Sequence, residues 1–244
     1  MQESEWNGYR RLDFTVDGRD SLLIVPEHPL PGDPWVWRTE FFGAFDTVDR
    51  ALLEKGWHIA YHKVSDMYGC QRAVEYLRAF QDHVEQHFHL SLHPVLFGFS
   101  RGGLYAVNYA VAYPGRVGGL YLDAPVLDIR SWPGGLGCGD GDPDCWAQCK
   151  ALYGLTDDSA PGFAQNPLDQ AARLAACGIP VVGVAGLADT TVPYSENLQR
   201  FTPRFRAAGG KIRVIEKPGC AHHPHSLEDP EPVVSFIEKH CLRR

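Results

Sequence analysis

Three side chains of the types that serine-based acyl transfer needs each follow an apolar run that reads as a strand. Ser100 lies in Gly98-Phe99-Ser100-Arg101-Gly102-Gly103, after Pro94-Val95-Leu96-Phe97 and before Leu104-Tyr105-Ala106-Val107-Asn108-Tyr109-Ala110. That order reads strand, sharp turn, helix. A serine at such a turn crowds its neighbours, so the positions two before and two after it must be nearly free of side chain, as Gly98 and Gly102 are. The hydroxyl then stands above a sheet edge, and the backbone N–H of Arg101 at the helix start points to where negative charge would form on a substrate oxygen. Asp189 closes the turn Gly186-Leu187-Ala188-Asp189 after the apolar run Gly178 to Ala185, and His222 lies in Gly219-Cys220-Ala221-His222-His223-Pro224-His225. An imidazole takes the serine proton near neutral pH, and a carboxylate fixes its tautomer and stabilises the imidazolium.

Rival assignments exist for two of the three. Asp123 ends the short apolar strand Gly119-Leu120-Tyr121-Leu122 and competes for the acid role; the Gly-rich turn and Val192-Pro193 favour Asp189, leaving Asp123 as a buried carboxylate that supports its strand end. His223 and His225 read as supporting or exposed side chains. Three close histidines also suit zinc, but His223-x-His225 needs further ligands that no other His, Asp or Glu motif supplies at ligand spacing. Cys138, Cys145 and Cys149 sit at spacings unlike paired zinc ligands and read as ordinary thiols, with a local disulfide as the second choice. The expected reaction needs no cofactor and no metal.

The elements that must position these groups follow from the apolar pattern. Residues 9–25 alternate around Asp17-Gly18 as an edge hairpin, Trp35-Val36-Trp37-Arg38 resumes an extended run, and 45–54 is a helix closed by Gly56. A strand over 57–61, a helix over 71–87, the Ser100 turn and helix, a strand over 119–123 and one over 178–185 come next. The chain ends with a helix over 196–208, a strand over 211–216 and a helix over 232–240. Strands separated by helices predict a doubly wound, mostly parallel α/β sheet with its ligand site at the strands' carboxyl ends. The Gly-, Asp- and Cys-rich stretch 131–167 is too irregular for that sheet and reads as a cap-like insertion in a single domain.

With 44% hydrophobic and 22% charged residues, the 244-residue chain has a globular composition, and no apolar run nears the ~20 residues of a membrane span. A formal net charge of −7 without a Lys/Arg cluster argues against a nucleic-acid surface and for a small or uncharged substrate. The opening Met1-Gln2-Glu3-Ser4-Glu5-Trp6 lacks a basic then apolar segment, which predicts a cytoplasmic protein.

The Ser, Asp, His order resembles the α/β-hydrolase superfamily along nearly the whole chain. The resemblance rests on the 98–103 turn, Gly186-Leu187-Ala188-Asp189 with Val192-Pro193, Gly219-x-Ala221-His222, and the helix after Asp229-Pro230. It implies Ser100 as nucleophile, Asp189 as acid and His222 as base in a carboxylic ester hydrolase. The pattern departs where a His-Gly turn usually gives an oxyanion donor; Trp35-Val36-Trp37-Arg38-Thr39 stands there, which moves the expected donor to the backbone of Arg38 or Thr39. The Trp-Arg segment with Ser-Arg-Gly-Gly, Asp-Ala-Pro-Val and His-His-Pro-His also resembles bacterial hydrolases associated with polysaccharide breakdown. A carbohydrate ester would then be the substrate, with Arg38 on a carboxylate and Trp35 or Trp37 stacked on a sugar ring. Against this, Arg38 could simply pair with Glu40 or Asp66, and the tryptophans could be core aromatics. A peptidase, a thioesterase or a silent binding protein on the same scaffold are the alternative functions.

Overall fold

The apolar runs assemble into a nine-stranded sheet in the computed structural model, which describes residues 1–242. The strands are β1 (Gln2–Trp6), β2 (Tyr9–Val16), β3 (Arg19–Val25), β4 (Trp35–Arg38), β5 (His58–His62), β6 (Val95–Phe99), β7 (Gly119–Asp123), β8 (Val181–Gly186) and β9 (Ile212–Lys217). Their order across the sheet is β1-β2-β3-β5-β4-β6-β7-β8-β9. Pairings from β1 to β5 are antiparallel, and those from β5 to β9 are parallel. Helices α1 (Thr47–Glu54), α2 (Gln71–Phe88), α3 (Gly102–Ala112), α4 (Pro143–Tyr153), α5 (Ala171–Ala176), α6 (Leu198–Ala207) and α7 (Glu231–His240) fill the connections.

The edge differs from the expectation. The 9–25 hairpin is β2 and β3, but β1 lies outside it, paired from Gln2↔Asp13 to Trp6↔Tyr9. Gln2-Glu3-Ser4-Glu5 is exposed and shows no apolar alternation, so periodicity does not reveal it. The ladder with β2 and a cross-strand Arg10–Glu3 pair at 2.8 Å hold it instead.

Successive strand residues point to opposite faces, and this divides the core in two. Trp35, Trp37, Leu96, Leu120 and Leu122 pack with α2, α3 and α6, while Val36, Phe97, Phe99, Tyr121 and Val184 pack with α1 and α7. Helices on both faces oblige the central strands to be apolar throughout, and all five residues of β6 and of β7 are buried.

The stretch between β7 and β8 holds α4 and α5. Asp142 caps α4, accepting from Cys145 N–H at 2.9 Å, and Pro143 follows at the first turn. This stretch docks on the loop before α2, where Tyr153 Oη donates to Tyr68 O at 2.8 Å and Tyr68 Oη donates to Gln148 at 3.1 Å. Cys138, Cys145 and Cys149 are free thiols.

Burial also places titratable groups in the core, His62 among them. His62, at the end of β5, is buried, 2.9 Å from Ser21 Oγ and stacked on Phe80, and desolvation pushes its pKa down to about 4. The unfolded chain therefore binds a proton below about 6.5 that the folded chain refuses until about pH 4, so stability falls as pH drops through that window. Urea unfolding across it should lose on the order of 2–3 kcal/mol, and His62→Gln should flatten the profile. An equally steep profile in the variant would assign the loss elsewhere.

Candidate active site

The turn after β6 has the backbone that its sequence demands. Ser100 sits at φ +49°, a left-handed conformation that costs energy for a residue with a side chain and lifts Oγ clear of the strand. A Cβ at Gly98 would lie 3.0 Å from Ala106 Cβ and the Gly103 Cα, and one at Gly103 would lie 2.7 Å from Pro125 Cβ. Helix α3 can reach the sheet this closely only over glycine. Ser100 N–H donates to Asp123 O at 2.9 Å and Ser100 O accepts from Val126 N–H at 2.8 Å, tying the turn to the end of β7.

The three candidate catalytic side chains meet at the carboxyl ends of the strands. Ser100 Oγ lies 2.9 Å from His222 Nε2, and His222 Nδ1 lies 2.7 Å from Asp189 Oδ2. The other Asp189 oxygen accepts the N–H groups of Thr191 at 3.0 Å and Val192 at 2.9 Å, which fixes the carboxylate plane. The Asp189 side chain is 1% exposed and His222 10%. A buried carboxylate on Nδ1 keeps the proton there and leaves the Nε2 lone pair facing the serine hydroxyl.

The rival carboxylate has a separate partner. Asp123 accepts from Tyr121 Oη at 2.7 Å and Ser226 N–H at 2.8 Å, and its other oxygen lies 2.8 Å from His225 Nδ1. Asp123 thus holds the segment after His222 against β7. His225 is buried, whereas His223 is exposed and stacks on Phe45 at 5.4 Å. Desolvation and the neighbouring imidazoles hold the pKa of His223 below its ordinary value.

The residues expected to touch substrate from β4 do not line the site. Trp35 and Trp37 are fully buried, 5.3 Å apart, with Phe80 and Tyr109 against Trp37. They face the α2–α3 side because they alternate with Val36, and no sugar ring can reach them. Arg38 is also fully buried and points the other way, lying over Phe99 at 4.0 Å. Its partner is Asp49 on α1, in a two-armed pair with both distances 2.7 Å, and Nη2 also donates to Ala44 O and Phe45 O. Neither Glu40 nor Asp66 pairs with it. Removing one member of such a pair strands a buried charge, so Arg38→Ala should cost roughly 3–5 kcal/mol in chemical denaturation and lower activity on every substrate alike. A selective rise in KM for anionic esters with stability intact would reinstate Arg38 as a pocket residue.

Glu40 and Asp66 instead flank the residue after the serine. Arg101 Nε donates to Glu40 at 2.6 Å and Nη1 pairs with Asp66 at 2.8 Å, while Ser65 Oγ donates to Glu40 at 2.8 Å. Burial pushes the Glu40 carboxyl up against the opposing pull of Arg101. Composition carries no sign of this brace, because Glu40 and Arg101 are 61 residues apart.

The backbone expected to offer an oxyanion donor is already hydrogen-bonded in the sheet. Arg38 lies within the ladder between Tyr61 and Phe97, and Thr39 N–H donates to Phe97 O at 3.2 Å, so the sheet claims this stretch. The Arg101 N–H has no acceptor among the described residues. The next amides past β4 are those of Glu40, whose N lies 3.7 Å from the Cβ position of Gly102, and Phe41, held at φ +54°. Cavities flank the centre on both sides. One of about 380 Å³ is lined by Glu40, Phe41 and Arg101, and one of about 390 Å³ by Asp189, Thr190 and Tyr194.

A mostly parallel sheet wound on both faces, a serine on a strained strand-to-helix turn, and an acid and a histidine at later strand ends together fix the architecture. The chain has the α/β-hydrolase fold. Solved structures of that fold align along nearly all of it. A puromycin-hydrolyzing peptidase of Mycobacterium tuberculosis superposes with a TM-score of 0.73 at 15% identity, covering 96% of this chain and 39% of that one. A puromycin hydrolase does so at 0.69 and 19%, covering 93% and 37%, so the chain spans about two fifths of those proteins. A Pyrococcus furiosus esterase superposes at 0.64 and 16%, covering 98% of this chain and 97% of the esterase. No protein-family model matches the sequence, and no curated protein does. Among the described residues, no helix is long and apolar enough to cross a membrane.

Proposed function

We propose that this chain is a serine hydrolase that cleaves carboxylic esters through an acyl-enzyme on Ser100. The observation that carries the reading is the continuous line from Ser100 Oγ to His222 Nε2 at 2.9 Å and from His222 Nδ1 to Asp189 at 2.7 Å. Ser100 Oγ attacks the acyl carbon while His222 takes its proton, and Asp189 stabilises the imidazolium that results. The Arg101 N–H and an amide of Glu40 or Phe41 receive the charge on the carbonyl oxygen. His222 then protonates the leaving alcohol, and a water activated by the same nitrogen releases the acid. No step needs a metal or a cofactor.

A peptidase is the second reading. The peptidases among the structural neighbours favour it, while the esterase of nearly equal length favours ester cleavage by a chain of this size. The carbohydrate-ester expectation rested on Arg38, Trp35 and Trp37 as pocket residues, and their burial removes that support. Initial rates on p-nitrophenyl acetate, an aminoacyl anilide and an acyl-CoA, each against a Ser100→Ala blank, test the proposal. Ester turnover above the blank is the expected result. Turnover of the anilide alone would transfer the assignment to a peptidase, and equality with the blank on all three would overturn it.

A further inference from the structure

The site contains more imidazole than the proposed reaction uses. His222, His223 and His225 lie together, with ring centroids 4.8 to 4.9 Å apart and planes crossed at 64° to 88°. One ring nitrogen from each lies within 4.8 Å of one from each of the others. Crossed rings at this spacing direct edges at one another and do not stack. In addition, His222 and His225 each place Nδ1 on a buried carboxylate, Asp189 at 2.7 Å and Asp123 at 2.8 Å. A carboxylate on one nitrogen of a histidine is the arrangement that orients zinc-binding imidazoles, since it leaves the second nitrogen as a fixed lone pair.

We infer that His222, His223 and His225 form a Zn2+ site that inhibits the enzyme reversibly. Zinc takes three imidazole ligands at about 2.0–2.1 Å with a water or another oxygen in a fourth, tetrahedral position. Such ligands stand about 3.4 Å apart, so nitrogens within 4.8 Å close on the ion by no more than about 1.4 Å. Exposed His223 provides that movement, while His222 and His225 stay on their carboxylates. The ion occupies the Nε2 lone pair that would accept the serine proton, and Ser100 Oγ, 2.9 Å from that nitrogen, stands near the fourth position. Inhibition therefore needs no change of fold: the metal and the proton compete for one lone pair. The sequence sets the three histidines close together, and the fold brings one ring nitrogen of each within 4.8 Å of the others.

The inhibitory consequence rests on the proposed role of His222, so binding and activity are measured separately. Zn2+ is titrated calorimetrically into Ser100→Ala, a protein whose turnover is irrelevant to the readout. A single strong site is expected, weakened roughly tenfold or more in Ser100→Ala/His223→Ala, as loss of a ligand requires. In the EDTA-washed wild-type enzyme, Zn2+ should suppress ester turnover and EDTA should restore it. His223→Ala should raise the half-inhibitory Zn2+ concentration by roughly tenfold or more, each protein being compared with its own zinc-free rate. Cys220→Ser serves as the control for the nearby thiol and should behave as wild type. Equal Zn2+ affinity with and without His223, or loss of inhibition only in Cys220→Ser, would overturn the site. His223-dependent binding together with no ester turnover by the zinc-free wild-type protein would uphold the metal site and overturn the hydrolase reading instead.

Discussion

Ser100→Ala should lower ester turnover by roughly three orders of magnitude or more while leaving the melting temperature within a degree or so of wild type. The two readouts separate because of what Ser100 touches. Its Oγ meets His222 Nε2, while the contacts that hold the turn come from its backbone, to Asp123 O and Val126 N–H. Alanine keeps those contacts and the φ of +49° and removes only the hydroxyl. What remains is a site able to bind and polarise an ester with no group to attack it, and such residual catalysis is small. A fluorophosphonate probe should label wild type at Ser100, mapped by peptide mass spectrometry, and leave the variant unlabelled. Turnover within about tenfold of wild type would place the nucleophile elsewhere.

The turn was legible in the sequence because its determinants are local. Gly98 and Gly102 stand two before and two after the serine, a spacing visible without knowing that Thr39, Glu40 and Pro125 are the neighbours that crowd Gly102 and Gly103, and strand-turn-helix order needs no tertiary knowledge. Asp189 and His222 were legible for a related reason: parallel strands place their carboxyl ends at one edge, so groups just after them converge. Arg38 was misread because several carboxylates within reach of the chain, Glu40 and Asp66 among them, compete with Asp49, and only the docking of α1 decides. Trp35 and Trp37 were misplaced because a strand covered on both faces shows no apolar alternation from which to tell pocket from core. The sheet takes up the Arg38–Thr39 backbone on which the oxyanion donor was expected, and the hydrogen bond from Thr39 N–H to Phe97 O is a property of register. Register is set across β4 and β6, whose residues are 59 apart in sequence at Val36↔Val95.

Asp189→Asn should cut kcat by about 10⁴, and Asp123→Asn should leave it within about tenfold of wild type. The two variants differ in which imidazole the carboxylate holds. Asp189 Oδ2 faces His222 Nδ1, and its other oxygen is anchored by the Thr191 and Val192 N–H groups. Those two donors force an asparagine to keep its carbonyl oxygen toward the backbone and turn its NH₂ to the imidazole. His222 must then accept on Nδ1, carry its proton on Nε2, and lose the lone pair that Ser100 needs. The fold survives, because the backbone N–H groups keep an acceptor. In Asp123→Asn the same inversion falls on His225, which has no bond to Ser100 among the described residues. Tyr121 Oη and Ser226 N–H share one oxygen and keep it as an acceptor, so the new donor faces His225 and any cost falls on the buried His225 contact and not on Ser100. Thermal melts and steady-state rates on one ester, run on both variants, decide the matter. A large kcat loss in Asp123→Asn with Asp189→Asn near wild type would move the acid to β7.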